Sequence, residues 1–258
     1  MFHPEHVPDY FVGSLFFILA WAILYWTAPK SRSAVFWASL TLLPIGPLLE
    51  SIYVIDYWHP QHWWYWQFGW LRLSIEDAIF TFTTSGLCAG FFDLVYRRHH
   101  DREIVGVTLW SYARLLFAGL ICLVIIFAIW KFGLHRKVTW LHSVNAHALG
   151  CLLALPFVLV RRAWLVSTLL ASLGGAVLMC IFYALYYLRI YPDIFRRWWN
   201  EDVLSHITLF TIPIEEIYWM AATFLFIGPV VRFCMDVTAD QQWLALAQFR
   251  EWRQGGLN

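Results

Sequence analysis

Seven apolar runs, each about as long as a membrane-spanning helix, divide this 258-residue chain. A hydrocarbon core of roughly 30 Å needs about 20 apolar residues per helix. The runs lie at residues 10–28, 34–54, 74–95, 113–132, 138–160, 163–188 and 205–232. Because backbone buried in lipid must satisfy its own hydrogen bonds, each run is expected to be helical. The pattern predicts an all-α fold, a polytopic membrane helical bundle with about seven transmembrane helices.

The distribution of charged residues indicates how the chain is oriented in the membrane. Only 14% of the residues are charged, far fewer than in a soluble domain. If the N-terminus is outside, most of the 18 Lys and Arg residues fall on inner loops and the C-terminal tail, as the positive-inside rule requires. Lys30 and Arg32 follow the first run, which is the reverse of a signal peptide's charge order. We predict an integral, multi-pass protein with its N-terminus outside and its C-terminus cytoplasmic.

Several classes of function are disfavoured by what the chain lacks. A net charge of +1 offers no basic footprint for nucleic acid. The chain contains no glycine-rich nucleotide motif, and its five cysteines show no metal-ligand spacing. His142 and His147 are five residues apart, a poor match to one helix face, and are interpreted as packing histidines rather than metal ligands. We expect no cofactor and no metal; the oligomeric state is left open.

A short acidic motif occurs twice, with Glu76 and Glu215 lying 139 residues apart. Residues 73–80 read LSIEDAIF and residues 212–219 read IPIEEIYW. A loop rich in Trp and Tyr, also carrying an acid, precedes each copy. We interpret this as a duplication, and the predicted divisions are a three-helix repeat at 1–100, a linking helix at 101–135, a second three-helix repeat at 136–235 and a cytoplasmic tail at 236–258. One linking helix makes the repeats parallel, which places both acid pairs on the outer side.

Both acid pairs fall where ionisable groups are costly and therefore mark function. We predict Glu76, Asp77, Glu215 and Glu216 to be catalytic. Neighbouring residues on a helix point about 100° apart, so one acid of each pair can face a cavity. Glu76 and Glu215 are favoured for that position with the other two supporting them, and the opposite assignment stays open. Ser74-x-x-Asp77 also reads as a capping box, which gives Asp77 an alternative structural role.

Other acids and rings complete the predicted site. Glu50 follows the Pro-x-x-Pro stretch at 44–47, which is expected to kink its helix; its carboxylate reaches either interfacial water or the site. Asp93 is expected to form a surface ion pair with Arg97 and Arg98. The predicted substrate contacts are Glu50, Asp56, Trp58, Trp70, Phe80, Asp193, Tyr218 and Trp219.

Aromatic residues make up 19% of the chain, and an interfacial belt of Trp and Tyr accounts for only part of them. Buried carboxyl groups can retain a proton and act as general acids. Ring faces stabilise a nearby cation, and a dry pocket protects that cation from water. Together, acids and rings without a nucleotide site suggest proton-initiated chemistry on a lipophilic polyene.

The repeated motif resembles the lycopene cyclase domain family, whose members are built from two homologous three-helix halves. The likeness rests on Pro213-Ile214-Glu215-Glu216, on Ser74-Ile75-Glu76-Asp77 and on the aromatic loops, and it covers most of residues 1–235. It implies cofactor-independent cyclisation of lycopene end groups to β-ionone rings by an intramolecular lyase or isomerase. The expected partners are a carotenoid or other isoprenoid substrate and the lipid bilayer.

Two departures from the family pattern leave the substrate and ring type open. Ser74 stands where a proline is expected in the first half, and Asp77 shortens the second acid of that pair. The alternatives are a related membrane terpenoid cyclase, a double-bond isomerase, a proton-coupled transporter that uses the acids as a relay, or a structural subunit whose acids cap helices.

Overall fold

The computed structural model describes residues 9–100 and 108–235, and the described chain is mostly helical. This confirms the predicted all-α class; the predicted tail at 236–258 lies outside the described residues. The helices are α1 (Asp9–Thr27), α2 (Arg32–Leu42), α3 (Ile45–Asp56), α4 (Ile75–His100), α5 (Leu109–Arg136), α6 (Ser143–Cys151), α7 (Leu155–Val160), α8 (Arg162–Phe182), α9 (Leu188–Ile190), α10 (Ile194–Trp198) and α11 (Ile214–Met235). Two short hairpins pair β1 (Tyr65–Phe68) with β2 (Leu71–Ser74) and β3 (Thr208–Leu209) with β4 (Ile212–Pro213).

Five helices are long and apolar enough to cross a membrane, namely α1, α4, α5, α11 and the continuous segment Trp164–Ile190 that contains most of α8. Their outer faces carry large apolar side chains such as Leu19, Val124 and Leu173, each about 60% exposed. In a water-soluble protein such surfaces would be unusual. The chain therefore has the build of a multi-pass membrane protein.

Two of the seven predicted spans are broken. The run 34–54 forms α2 and α3, which meet at Pro44 with a bend of 56°, so the expected kink is present. The run 138–160 forms α6, a short turn at Leu152–Ala154 and α7, because Pro156 has no N–H to continue the α6 ladder. Counting the bent pair as one span gives up to six spans in the described residues, so the predicted number of seven is not confirmed.

The two copies of the acidic motif occupy the same local structure. Each acid helix, α4 or α11, begins immediately after a hairpin, with Ser74 pairing with Tyr65 and Pro213 pairing with Thr208. The predicted helix at 205–232 therefore starts only at residue 214, because residues 208–213 form the second hairpin. The two motif copies thus share one local structure, a hairpin followed by the first turn of a long helix.

The two aromatic loops meet and bring the starts of α4 and α11 together. Trp58 and Trp199 form an isolated antiparallel bridge between the loops. The His59 amide donates to the Trp198 carbonyl at 2.6 Å, and the Asn200 amide donates to the Tyr57 carbonyl at 2.9 Å. Both acid pairs consequently lie at one end of the bundle.

The opposite ends of α4 and α11 are joined by a buried ion pair. The Arg232 guanidinium donates to Asp93 at 3.1 Å and lies 4.7 Å from the ring centre of Tyr96. Both charged side chains are about 2% exposed. The predicted surface position of Asp93 is therefore wrong, because Asp93 is buried and pairs with Arg232 on α11. The side chains of Arg97 and Arg98 lie outside the described residues.

Candidate active site

A pocket, called the first cavity below, lies beneath the two aromatic loops and spans about 500 Å³ including its opening to the outside. Its wall contains two of the buried acids, Glu50 from α3 and Glu216 from α11. Nine aromatic rings line the rest of it, from Tyr10, Tyr53, Tyr57, Trp58, Phe80, Phe182, Tyr183, Tyr187 and Trp219. The first cavity thus combines two carboxyl groups with an aromatic wall.

Glu216 accepts hydrogen bonds on both carboxylate oxygens. Its Oε1 accepts from the Tyr57 hydroxyl at 2.6 Å and from the Trp199 indole at 2.9 Å. Its Oε2 accepts from the Tyr183 hydroxyl at 2.5 Å. Burial to 6% exposure disfavours a charge on Glu216, but the three donors stabilise the ionised carboxylate. Glu216 therefore has the hydrogen-bonding surroundings of a proton acceptor.

Tyr57 is held as a hydrogen-bond donor to Glu216. Burial, and after it the neighbouring Glu216 carboxylate, raises the pKa of Tyr57 well above its usual value. The His142 ring stacks on the Tyr57 ring, with 5.4 Å between centroids and 8° between planes. Burial lowers the pKa of His142 and outweighs the Asp56 and Glu215 carboxylates. The stacked imidazole is therefore neutral at physiological pH.

Glu50 and Asp77 form a second acid site, of which Glu50 lines the first cavity. One side-chain atom each of Glu50, Asp77 and His62 lies within 4.8 Å of the others. Asp77 Oδ1 accepts from the Tyr10 hydroxyl at 2.9 Å and contacts His62 Nε2 at 3.2 Å. Within the described chain, Glu50 Oε1 and Asp77 Oδ2 have no hydrogen-bond partner. Two buried carboxyl groups this close favour a shared proton over two charges.

Glu76 and Glu215 hold the loops above their helices. Glu76 Oε1 accepts from the backbone amides of Trp63 at 2.6 Å and Trp64 at 3.2 Å. Glu215 Oε1 accepts from the Ser205 amide at 2.6 Å. The expectation that these two acids face the cavity is not met, because each hairpin folds its loop over the first turn of the helix. The next residue along, turned by about 100°, points into the bundle.

Ser74 is the N-cap of α4, as the sequence suggested. Its hydroxyl accepts from the Asp77 backbone amide at 3.0 Å, which is one half of a capping box. The Asp77 carboxyl makes its contacts with Tyr10 and His62 instead of the cap. Capping is therefore the role of Ser74, and the Asp77 side chain belongs to the acid site.

Four of the predicted substrate contacts, Glu50, Trp58, Phe80 and Trp219, line the first cavity. Three others lie elsewhere for identifiable reasons. The Asp56 carboxylate accepts from the Trp130 indole at 2.6 Å and the Ser143 amide at 3.2 Å, so it caps α6. The Tyr218 hydroxyl donates to the Asn145 side chain. Trp70 is 58% exposed.

Asp193, the remaining predicted contact, is exposed immediately before α10. Tyr10, His62 and Tyr183, by contrast, were not predicted. Tyr10 and Tyr183 lie inside apolar runs, where the sequence does not distinguish a functional tyrosine from one that only packs in the core. The sequence YALYY at residues 183–187, which forms a π-helical turn, is the one local signal, because such turns often occur at functional sites.

The remaining histidine packs as expected. The Nδ1 atom of His147 is hydrogen-bonded to the Tyr53 hydroxyl at 2.6 Å, and its Nε2 atom is hydrogen-bonded to the Thr223 hydroxyl at 3.0 Å. Among the described residues, the group able to hold a metal ion is instead Glu50, His62 and Asp77, which the sequence did not indicate. Two carboxylates and an imidazole suit a divalent cation as well as they suit a shared proton.

A larger pocket, called the second cavity below, lies beside the first and spans about 730 Å³ including its opening to the outside. The two share four lining residues, Glu50, Tyr53, Phe80 and Trp219. The two cavities are therefore adjacent, and these four side chains form the wall between them.

Residues 139–234 match the family model described as Lycopene cyclase. The matched stretch contains α6 to α11 and, with them, Tyr183, Trp199, Glu215 and Glu216. No curated protein and no solved structure matches the chain. The resemblance to lycopene cyclases is thus confirmed for these residues, and it supports a carotenoid cyclase function in broad terms.

Proposed function

We propose that this protein closes the linear end group of a lipophilic polyene into a ring, with lycopene end groups becoming β-ionone rings and no cofactor taking part. One observation carries the proposal. The first cavity holds two acids in opposite surroundings, a carboxylate with three donors at Glu216 and a carboxyl group beside a second carboxyl at Glu50. Such a division suits one proton donor and one proton acceptor.

The first step is protonation of the terminal double bond. Glu50, which shares its proton with Asp77, gives that proton to the carbon that bears hydrogen, and the π electrons form the new C–H bond. The positive charge then rests on the carbon that carries the two methyl groups. Glu50 is the donor because it lines the first cavity, whereas Asp77 does not appear among the lining residues.

Ring closure and proton loss complete the reaction. The internal double bond attacks the cation, which forms a carbon–carbon bond and moves the charge into the new ring. Glu216 takes a proton from a ring carbon, and the electrons of that C–H bond become the ring double bond. One proton enters and one leaves, so substrate and product are isomers.

The aromatic wall stabilises the cation between these steps. Each ring face that meets the charge contributes on the order of 0.5–2 kcal/mol, and nine rings line the first cavity. The hydroxyl groups of Tyr10 and Tyr183 donate hydrogen bonds to Asp77 and Glu216, respectively. Their oxygens are thereby directed at the acids and away from the reacting carbons.

A proton relay used for transport is less well supported. The acids of the first cavity lie at one end of the bundle, and Asp93, at the other end, is held by Arg232. A double-bond isomerase would use the same donor and acceptor without closing a ring. Product identity therefore decides between ring closure and isomerisation.

The test is to supply membranes containing the protein with lycopene and to separate the pigments by chromatography. We expect lycopene to decrease and a cyclic carotene, with absorption at shorter wavelength, to appear. Membranes from the same host without the protein are the control. Unchanged lycopene would contradict the proposal. Formation of a linear isomer would show that the protein moves a double bond without closing a ring.

A further inference from the structure

The second cavity lies next to the first, along the helices that carry the acids. Its wall runs on α11 from Trp219 to Ile227 and on α4 from Phe80 to Ser85. At 1.5 Å per residue, the path along α11 from Glu216 to Ile227 is about 16 Å long. The α2–α3 bend and α5 close the other side, with Ile45 and Cys122 in the wall.

The surface of the second cavity is apolar although several lining side chains are polar. The Thr84 hydroxyl donates to the Phe80 carbonyl at 2.8 Å, and the Thr223 hydroxyl donates to the Trp219 carbonyl at 2.8 Å. The ring nitrogens of His147 are occupied by Tyr53 and Thr223. These polar atoms are bonded within the wall, whereas Ser85 Oγ and Glu50 Oε1, which also belong to it, have no partner among the described residues. Apart from these two oxygens, the space suits a ligand without hydrogen-bonding groups.

We propose that the second cavity binds the unreacted chain of the linear polyene while its end group lies in the first cavity. This inference rests on the proposed function for the identity of the ligand. The shared wall of the two spaces at Glu50, Phe80 and Trp219 carries it, because a chain that passes between these side chains reaches both cavities. It follows that a polyene is bound end first and that one end group reaches the acids at a time. A two-ringed product requires release and a second binding event with the chain reversed.

The free cysteines allow a direct test of where the chain lies. Cys122 and Cys151 line the second cavity, whereas Cys88, Cys180 and Cys234 do not appear in its wall. Purified protein in detergent is treated with methyl methanethiosulfonate, with and without lycopene, and modification at each cysteine is followed by peptide mass spectrometry. We expect lycopene to slow modification of Cys122 at least tenfold and to leave Cys180 within twofold.

Two outcomes would overturn the inference. One is a Cys122 rate that lycopene does not change, and the other is a Cys122 that stays unmodified without lycopene, because the space would then be closed to a small apolar molecule. If lycopene protects Cys122 from modification but no ring forms, chain binding in the second cavity is supported and the proposed cyclisation is contradicted.

A pair of variants on α5 gives a second measurement. Cys122→Phe fills the second cavity, and Val124→Phe adds the same bulk at a position that is 65% exposed on the outer face. We expect the first variant to lose at least tenfold in lycopene conversion and the second to retain wild-type conversion. Equal conversion by two folded variants would contradict chain binding at this place.

Discussion

Replacing Glu216 by glutamine is expected to slow ring formation by roughly 10²- to 10⁴-fold, the usual contribution of a positioned acid or base. An amide has almost the same shape as the carboxylate but cannot accept the ring proton. Its NH₂ group would also face donors, since Tyr57, Trp199 and Tyr183 all donate to this side chain. Initial rates of lycopene loss in membranes with equal protein content measure the effect.

Glu215→Gln is the matched control for that variant. A glutamine carbonyl can still accept the Ser205 amide that Glu215 now accepts, so the loop stays anchored. We expect a loss of less than about tenfold, the scale of one weakened hydrogen bond. A large loss in Glu215→Gln beside a nearly normal Glu216→Gln would reverse the assignment of the two acids.

Replacing Glu50 by glutamine is expected to reduce ring formation by a similar factor, roughly 10²- to 10⁴-fold, because the proton donor is removed. Asp77 remains in place with its contacts to Tyr10 and His62, but it does not line the first cavity. Glu201→Gln, at an exposed position, is the control for the same chemical change outside the site. Full activity of Glu50→Gln would rule out Glu50 as the donor.

A chelator separates the donor role from a metal-ligand role at the same residues. If Glu50 donates a proton, wild-type ring formation is unchanged by EDTA and by added divalent cations. If Glu50, His62 and Asp77 held a required metal, chelation would abolish activity and a divalent cation would restore it. When both treatments are measured beside the Glu50→Gln variant, a loss of activity in that variant can be assigned either to the missing proton donor or to a missing metal ligand.

The helical fold could be predicted from the sequence because the length and apolarity of a membrane helix are local properties. The α2–α3 bend was also predictable, since proline excludes the backbone bonds of a straight helix. The break at α7 and the hairpin at residues 208–213 were not. The hairpin is short and lies within an apolar stretch, where strand and helix cannot be told apart by composition.

The candidate site was predicted in part. The repeated motif identified the two acid pairs, but which acid of each pair faces the cavity depends on the hairpin, which turns Glu76 and Glu215 toward loop amides. Asp93 could not be paired with Arg232 from sequence, because the two lie 139 residues apart. Tyr10 and His62 reach Asp77 through packing of separate segments, for which one sequence carries no signal.

The most direct test of proton-initiated cyclisation is the deuterium content of the carotene formed from lycopene in D₂O, measured by mass spectrometry. In the proposed mechanism Glu50 must regain its proton from solvent after each turnover, so each ring formed should carry one deuterium, on the carbon protonated in the first step. A cyclic product without deuterium would contradict protonation by an exchangeable acid, and with it the role assigned to the first cavity.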